Sequence, residues 1–211
     1  MGRYDASAGR EGEMESGSRG RVLRNRLSIK RKSEADQIEF ELILAAQKTW
    51  LKRITDETHF TASMLCQMHA HWLGKIYDWA GRYRNVELSK GSFQWPPARL
   101  VAQNMIRLEQ DFLRHYTPRV PGSVGEVSLR VAMVHAELLL VHPFRDGNGR
   151  LARWLADLMF LQAGFPLPDY GFTGAGSRKT RTRYLAGVQK GYLQNYRLLA
   201  DFFAEAVARR L

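Results

Sequence analysis

The amino-acid sequence predicts an all-α protein that contains one small β-hairpin. Three observations support this prediction. Apolar residues recur at helical spacing in most segments, only one short stretch alternates apolar and polar residues, and Pro or Gly punctuates the segments. The 211 residues, 45% of them hydrophobic, are enough for one domain with an ordinary core.

The first twenty residues are rich in Gly, Ser and charged side chains and hold almost no large apolar residue. Such a segment buries too little apolar surface to offset the entropy of ordering it. We therefore expect a disordered tail over residues 1–20 and a single folded domain over residues 21–211.

Two helices are predicted in the N-terminal half. The first spans about residues 33–54, with Ser33 as its N-cap and Glu34 and Asp36 in its first turn, where carboxylates suit the helix dipole. The second spans about residues 61–76. The first helix carries apolar residues at a spacing that predicts one buried face: Phe40, Ile43, Leu44, Trp50, Leu51 and Ile54.

Residues 84–95 form the one stretch that reads as extended. Val86 and Leu88 alternate with polar residues, and Gly91 with Ser92 can turn the chain, so a small hairpin is predicted. Pro96 and Pro97 end it and begin a helix over about residues 98–115. Further helices are predicted over about residues 125–140, 148–163, 179–190 and 196–209.

Composition and charge narrow the class of protein. The formal net charge is +11, which attracts acidic proteins, nucleotides or nucleic acid; a basic tail together with phosphate-binding arginines accounts for it. The longest apolar stretch, residues 131–141, contains a His and a Glu and is too short to span a bilayer. With no signal-peptide pattern, the expectation is a cytoplasmic protein, in the cell that makes it or in one that receives it.

A nine-residue run between two predicted helices has the composition of a nucleotide site. It reads His-Pro-Phe-Arg-Asp-Gly-Asn-Gly-Arg from His142 to Arg150, and Arg153 follows. Because its second half opens a helix, the free N–H groups there favour an anion. A helix terminus contributes only about 0.3–1 kcal/mol per exposed charge, so a polyphosphate also needs fixed cations, which the two arginines supply.

The other residues of the run suit the same chemistry. Gly147 and Gly149 let the backbone approach phosphate oxygens, and Asn148 supplies a neutral donor between them. Asp146 is a hard oxygen ligand for Mg²⁺, which binds through one or two carboxylates plus phosphates. His142 titrates near neutrality and suits a general base. Taken singly, these would be a core histidine, a turn aspartate and surface arginines, but the complete run favours the functional interpretation.

Neighbouring residues receive structural interpretations. Phe144 is expected to turn inward and Arg145 to face solvent, while His135 is expected to be structural. Asp157, four residues after Arg153, is expected to hold its guanidinium in place.

The run resembles the signature of the Fic family, His-Pro-Phe-x-(Asp/Glu)-Gly-Asn-(Gly/Lys)-Arg-x-x-Arg, and matches it at every specified position. The segment Tyr77-Asp78-Trp79-Ala80-Gly81 is also similar to one that precedes the active site in many Fic proteins. The resemblance implies a Fic-type catalytic domain over residues 21–211. It also implies ATP as co-substrate with Mg²⁺, and transfer of AMP to a hydroxyl side chain of a target protein.

The resemblance assigns further roles. Lys90, Gly91, Ser92 and Phe93 lie where Fic enzymes carry a flap to which an extended segment of the target docks; an ordinary surface hairpin is the alternative. Tyr184 borders an adenine pocket or packs a helix. Alternative functions are another Fic-type transfer, of phosphoryl, UMP or phosphocholine, and non-catalytic nucleic-acid binding, which the motif does not require.

Regulation follows from a second string. Many Fic proteins are restrained by a helix bearing (Ser/Thr)-x-x-x-Glu-(Gly/Asn), and residues 7–12 match it with Glu11 as the inhibitory glutamate. Two glycines make this segment a poor helix. The sequence therefore favours a separate antitoxin-like partner that supplies the helix, as in a toxin–antitoxin pair, or no inhibitor.

Overall fold

The computed structural model describes residues 5–118 and 121–211, and it is mostly helical. The all-α prediction with one small β element is confirmed. The α-helices are α1 (Lys32–Leu51), α2 (Ala62–Leu73), α3 (Val101–Leu108), α4 (Arg114–Tyr116), α5 (Val124–Val141), α6 (Asn148–Gln162), α7 (Ser177–Gly191) and α8 (Arg197–Ala208). The 3-10 turn Ala98–Leu100 precedes α3, and the π-helical turn Glu109–Leu113 follows it.

The predicted hairpin belongs to a three-stranded antiparallel sheet. Strand β2 (Leu88–Lys90) pairs with β3 (Phe93–Gln94) through a two-residue turn, and β1 (Asp5–Ala6) pairs with the other side of β2. The order is β1-β2-β3. The hairpin prediction is thus confirmed, and the N-terminal strand is an addition that the sequence did not indicate.

The structure differs from the predicted disorder of residues 1–20 wherever it describes them; residues 1–4 lie outside the described residues. The Ser7 amide donates to the Glu87 carbonyl at 3.1 Å, and the Glu15 amide donates to the Val22 carbonyl at 2.8 Å. Gly9, with φ of 152°, lies so close to Val86 that a Cβ would stand 3.0 Å from its methyl. Composition predicted disorder because the segment has few large apolar side chains, whereas its order comes largely from backbone hydrogen bonds.

The chain divides into two compact units. Unit 1 comprises Met1–Arg53, Ala62–Ile106 and Val141–Leu151, and within it α1 packs on α2. Unit 2 comprises Ile54–Thr61, Arg107–Leu140 and Ala152–Leu211, and within it α7 packs on α8. Among the described residues, no helix combines the length and apolar character needed to cross a bilayer.

Only some of the apolar residues predicted to form the buried face of α1 are buried. Phe40, Leu44 and Leu51 are 56%, 49% and 54% exposed, while Ile43 and Trp50 are buried. The buried face runs at spacings of three and four residues and combines two alanines, one isoleucine, one tryptophan and one glutamate: Ala35, Glu39, Ile43, Ala46 and Trp50. Two apolar stripes one residue apart therefore share this helix, and only one of them contacts the core.

Candidate active site

The signature run forms the loop between α5 and α6, and His142 begins it in a left-handed backbone conformation, with φ of 51°. This conformation is uncommon outside glycine and is kept only where neighbouring contacts hold it. The Arg84 guanidinium provides one such contact, because its Nε donates to the His142 carbonyl at 2.8 Å. The Arg84 amide also donates to the carbonyl of Pro143 at 2.8 Å.

The same guanidinium fixes the hairpin to the loop. Arg84 donates to the carbonyls of Val86 at 2.9 Å and Pro96 at 2.6 Å, on either side of the hairpin. Trp95, at the end of the hairpin, packs against the His142 ring with 4.2 Å between ring centroids. Both rings are buried. Burial lowers the pKa of Arg84, and the carboxylates of Glu87 and Glu11 oppose that shift.

His69 supports the middle of the loop. Its Nδ1 accepts from the Gly81 amide at 2.8 Å, so its Nε2 carries the proton and donates to the Asp146 carbonyl at 3.0 Å. The imidazole stacks on Phe144 with centroids 3.9 Å apart. Burial lowers the pKa of His69 to about 4, which keeps the ring neutral. Phe144 is fully buried, as predicted.

Gly147 and Asn148 shape the turn into α6. Gly147 has φ of 85°, and a Cβ there would lie 2.9 Å from the Trp72 ring, so both conformation and space require glycine. The Asn148 side chain accepts from the Phe144 amide at 2.9 Å and donates to the Phe144 carbonyl at 2.7 Å. Asn148 thus closes the loop. Gly149 follows it in the first turn of α6, where amides have no intrahelical acceptor.

Arg150 is held in place by a buried carboxylate. Its guanidinium lies 2.7 Å from Glu39 Oε2 and 4.5 Å from the centre of the Trp72 ring. Glu39 in turn accepts from the Tyr77 hydroxyl at 2.6 Å. These contacts fix the Arg150 cation at the start of α6, and a third of its side chain is exposed.

Asp146 presents the carboxylate of the loop. Its Oδ1 accepts from the Gly147 amide at 2.6 Å and lies 4.0 Å from Arg150. The side chain is 23% exposed. The described residues contain no group of three or more His, Cys, Asp or Glu side chains poised around a cation. One carboxylate of this kind fits Mg²⁺ that arrives with a nucleotide, since the phosphates and water complete its shell.

Arg145 corrects a prediction. It was expected to face solvent, yet it is 1% exposed, and its Nε donates to the Glu11 carbonyl at 3.0 Å. Glu11 is 9% exposed, in the 3-10 turn Arg10–Gly12. The N-terminal segment covers Arg145, and because that contact joins residues 134 positions apart, local sequence patterns could not reveal it.

Arg153 lies further along α6, in unit 2. Its guanidinium stands 5.6 Å from the centre of the Phe172 ring and 5.9 Å from that of Tyr184. Asp157 was expected to orient it, but the direct partner of the Asp157 carboxylate is the Tyr170 hydroxyl at 2.6 Å. Burial raises the pKa of Asp157 to about 7, against the opposing effects of that bond and of Arg153.

Tyr184 is a packing residue of unit 2. It is 5% exposed and lies in an aromatic cluster with Phe172 and Phe202. Its hydroxyl bonds His135 Nε2 at 2.7 Å, while His135 Nδ1 bonds the Ala152 carbonyl at 3.1 Å. Burial lowers the pKa of His135 to about 3. The prediction that His135 is structural is consistent with these contacts.

The predicted docking residues form the hairpin tip. Lys90 ends β2, Gly91 and Ser92 make the turn, and Phe93 begins β3, with Lys90 opposite Phe93. Gly91 has φ of 58°, as such tight turns require. Phe93 is 37% exposed and forms a T-shaped ring pair with Trp95, with 5.0 Å between the ring centroids.

Unit 1 therefore brings together the loop residues from His142 to Arg150 and the hairpin. The sequence did not indicate the residues that hold them: Glu39, His69, Trp72, Arg84 and Trp95. A partial signal was available, because His69 and Trp72 precede the Tyr-Asp-Trp-Ala-Gly segment on one predicted helix.

This loop between two helices, with its accompanying hairpin, defines a Fic-type domain. The Fic/DOC family model matches residues 59–160, a segment that contains α2, the hairpin and the run from His142 to Arg150. Solved Fic domains share the fold. BepC from Bartonella tribocorum, solved with bound AMPPNP, aligns with a TM-score of 0.70 at 20% identity over 87% of this chain and 91% of that one.

Curated relatives bear the name protein adenylyltransferase. The probable protein adenylyltransferase y4lH of Sinorhizobium fredii is 28% identical over 151 residues, 70% of this chain and 75% of that protein. Protein adenylyltransferase Fic of Nematostella vectensis is 32% identical over 107 residues, 50% of this chain. The chain spans only 24% of the length of the latter.

Proposed function

We propose that this chain transfers AMP from Mg-ATP to a hydroxyl side chain of a target protein. The observation that carries the proposal is the complete run from His142 to Arg153, with His142, Asp146 and Arg150 each positioned by contacts within unit 1. Relatives named protein adenylyltransferases support it, as do nucleotides bound in neighbours: AMPPNP in BepC and ADP in a Bartonella quintana Fic domain.

The chemistry is a displacement at the α-phosphorus. His142 accepts the proton of the target hydroxyl, whose oxygen bonds the α-phosphorus while pyrophosphate leaves. Arg150 binds phosphate oxygens, with Glu39 keeping its guanidinium in one orientation, and the amides of Gly147–Gly149 add donors at the start of α6. Asp146 would hold Mg²⁺, which neutralises phosphate charge when bound. Arg153 is assigned to phosphate by its place in the motif.

Target docking is proposed at the hairpin. An extended target segment would add as a strand to the sheet, beside residues 90–93. Since β1 already pairs with β2, β2 is the central strand, and β3 is the edge strand that belongs to the hairpin. The target segment would therefore add beside β3, close to Trp95 and the His142 ring.

Inhibition is proposed to come from a separate small partner that supplies a helix, as in a toxin–antitoxin pair, rather than from Glu11. The Glu11 carboxylate accepts from the backbone amide of Asn85 at 3.1 Å. It sits in a three-residue 3-10 turn, not on a helix. We place the activity in a cytoplasm, of the producing cell or of a recipient cell.

The test is transfer of label to protein. Purified chain is incubated with Mg²⁺, cell lysate and ATP labelled at the α-phosphorus, beside His142→Ala and the exposed control His59→Ala. We expect label on lysate proteins or on the chain itself, its loss in His142→Ala, and its retention in the control. Loss of the base should lower the rate by about 10²–10⁴.

Two results would contradict this. Label that appears only from γ-labelled ATP would indicate phosphoryl transfer. The absence of label with ATP, UTP and CDP-choline, together with salt-dependent DNA binding that survives His142→Ala, would indicate a nucleic-acid-binding role.

A further inference from the structure

Glu11 connects two parts of unit 1 that are distant in sequence. Its backbone carbonyl accepts from the buried Arg145 Nε in the signature loop at 3.0 Å. Its carboxylate accepts from the amide of Asn85 at 3.1 Å, at the base of the hairpin. One residue of the N-terminal segment thus contacts both the loop and the hairpin.

Arg84, which directly precedes Asn85, links the same two parts. Its side chain donates to the carbonyls of His142 and Pro96, and its amide donates to Pro143. Arg84 and Arg145 are both buried, and a buried cation is costly without nearby negative charge. Glu11 supplies part of that charge, because it interacts electrostatically with both guanidinium groups and with Arg82.

The segment around Glu11 is fitted to this position. Ser7 and Glu87 exchange hydrogen bonds, from the Ser7 amide to the Glu87 carbonyl and from the Glu87 amide to the Ser7 hydroxyl. Gly9 lies flush against Val86, where a Cβ would be 3.0 Å from a methyl group. These contacts end on Val86 and Glu87, directly before the hairpin strand β2.

We infer that residues 5–12 form a latch, in which Glu11 is a positioning residue that fixes the signature loop relative to the hairpin. Its effect on activity rests on the proposed function; its effect on the structure does not. The latch and an inhibitory glutamate predict opposite changes in activity when the Glu11 side chain is removed. Removing the Glu11 side chain frees the hairpin base and leaves two buried cations less compensated, so activity falls.

The experiment measures amide hydrogen exchange in the full-length chain without nucleotide. Glu11→Ala removes the acceptor for Asn85, Arg145→Met removes the donor from the loop, and Glu11→Gln keeps an acceptor and the side-chain volume but loses the charge. Glu13→Ala is the control, since this neighbour makes an ion pair with Arg24 in which both side chains are about half exposed. Peptides covering residues 84–90 and 142–150 report on the hairpin base and the loop.

We expect exchange in both peptides to be about ten-fold faster in Glu11→Ala and Arg145→Met, because the first loses a partly buried hydrogen bond and the second a buried one. Glu11→Gln should lie between these variants and wild type, and Glu13→Ala should match wild type. In the double variant Glu11→Ala/Arg145→Met, the effect on exchange should be smaller than the sum of the two single effects. Both substitutions interrupt the same connection between the loop and the hairpin. In the labelling assay, kcat of Glu11→Ala should fall about ten-fold while its KM for ATP changes less than about three-fold.

Unchanged exchange in Glu11→Ala and Glu11→Gln would overturn the latch. Faster labelling by Glu11→Ala would also overturn it, in favour of inhibition. If wild-type protein transfers no label from any donor, the proposed function fails, and the exchange data still decide the latch by themselves.

Discussion

At the scale of single residues, the signature loop is held by buried polar side chains that bond its backbone. Arg84 donates to the His142 carbonyl, and His69 donates to the Asp146 carbonyl. Glu39 instead holds a side chain, that of Arg150. A loop that must keep a left-handed residue and a tight glycine turn needs such contacts, because these backbone conformations persist only where the surroundings hold them.

His69→Ala should lower the free energy of unfolding by about 3–4 kcal/mol. The substitution removes the stack on Phe144 and leaves the Gly81 amide and the Asp146 carbonyl without their partner, and unsatisfied buried groups are costly. Urea unfolding at pH 7.5 measures the change. His59→Ala, at an exposed position, should stay within about 0.5 kcal/mol of wild type; equal losses at both positions would contradict the assigned role of His69.

At the scale of elements, α1 shows how burial selects between two apolar stripes. Ile43 and Leu44 are neighbours, yet Ile43 is 8% exposed and Leu44 is 49% exposed. Periodicity fits either stripe, since the two lie only one residue apart on the helix. The buried stripe is the one that includes Glu39 and Trp50 and packs against α2.

Ile43→Ala should cost about 2–4 kcal/mol of unfolding free energy, whereas Leu44→Ala should cost less than about 1 kcal/mol. The two substitutions are matched in size and lie on the same helix, so helix propensity nearly cancels between them. Chemical denaturation of both variants under one set of conditions provides the comparison. A larger loss of unfolding free energy for Leu44→Ala would mean that the other apolar stripe of α1, the one with Phe40 and Leu44, is buried.

Sequence patterns predicted the elements well and their connections poorly. The helix from about 148 to 163 is observed as Asn148–Gln162, because period, glycine and proline mark its ends. The chemical roles proposed for the loop residues rest on their types and spacing and stay predictions. No local pattern indicates Arg84, Glu39 or the strand β1, since their roles come from contacts across 58, 111 and about 80 residues.

At the scale of the whole molecule, stability responds to pH through buried groups whose pKa values have shifted in opposite directions. His135 has its pKa lowered to about 3 and His69 to about 4, both by burial. Between those values and about pH 6.5 the unfolded chain binds more protons at these sites, so their contribution to stability rises with pH. Asp157 acts in the other sense, because burial raises its pKa to about 7.

Asp157→Asn should therefore make the protein progressively more stable relative to wild type as the pH rises. Between about pH 4 and pH 7 the folded wild type keeps a proton on Asp157 that the unfolded chain has lost. Wild-type stability accordingly declines by up to about 1.4 kcal/mol per pH unit from this group alone. Asparagine cannot titrate and can still accept the Tyr170 hydroxyl bond. The difference between the two proteins should grow across this window and level off above about pH 7.

Urea unfolding of both proteins at half-unit intervals from pH 4.5 to pH 8 gives that difference directly, with contributions from other groups common to both. Asp201→Asn, at a carboxylate about half exposed on α8, serves as the control and should follow wild type at every pH. A variant-minus-wild-type difference that stays constant with pH would show that Asp157 ionises alike in the folded and unfolded states. Its carboxylate would then lie in water and could not be enclosed with Tyr170 as the structure has it.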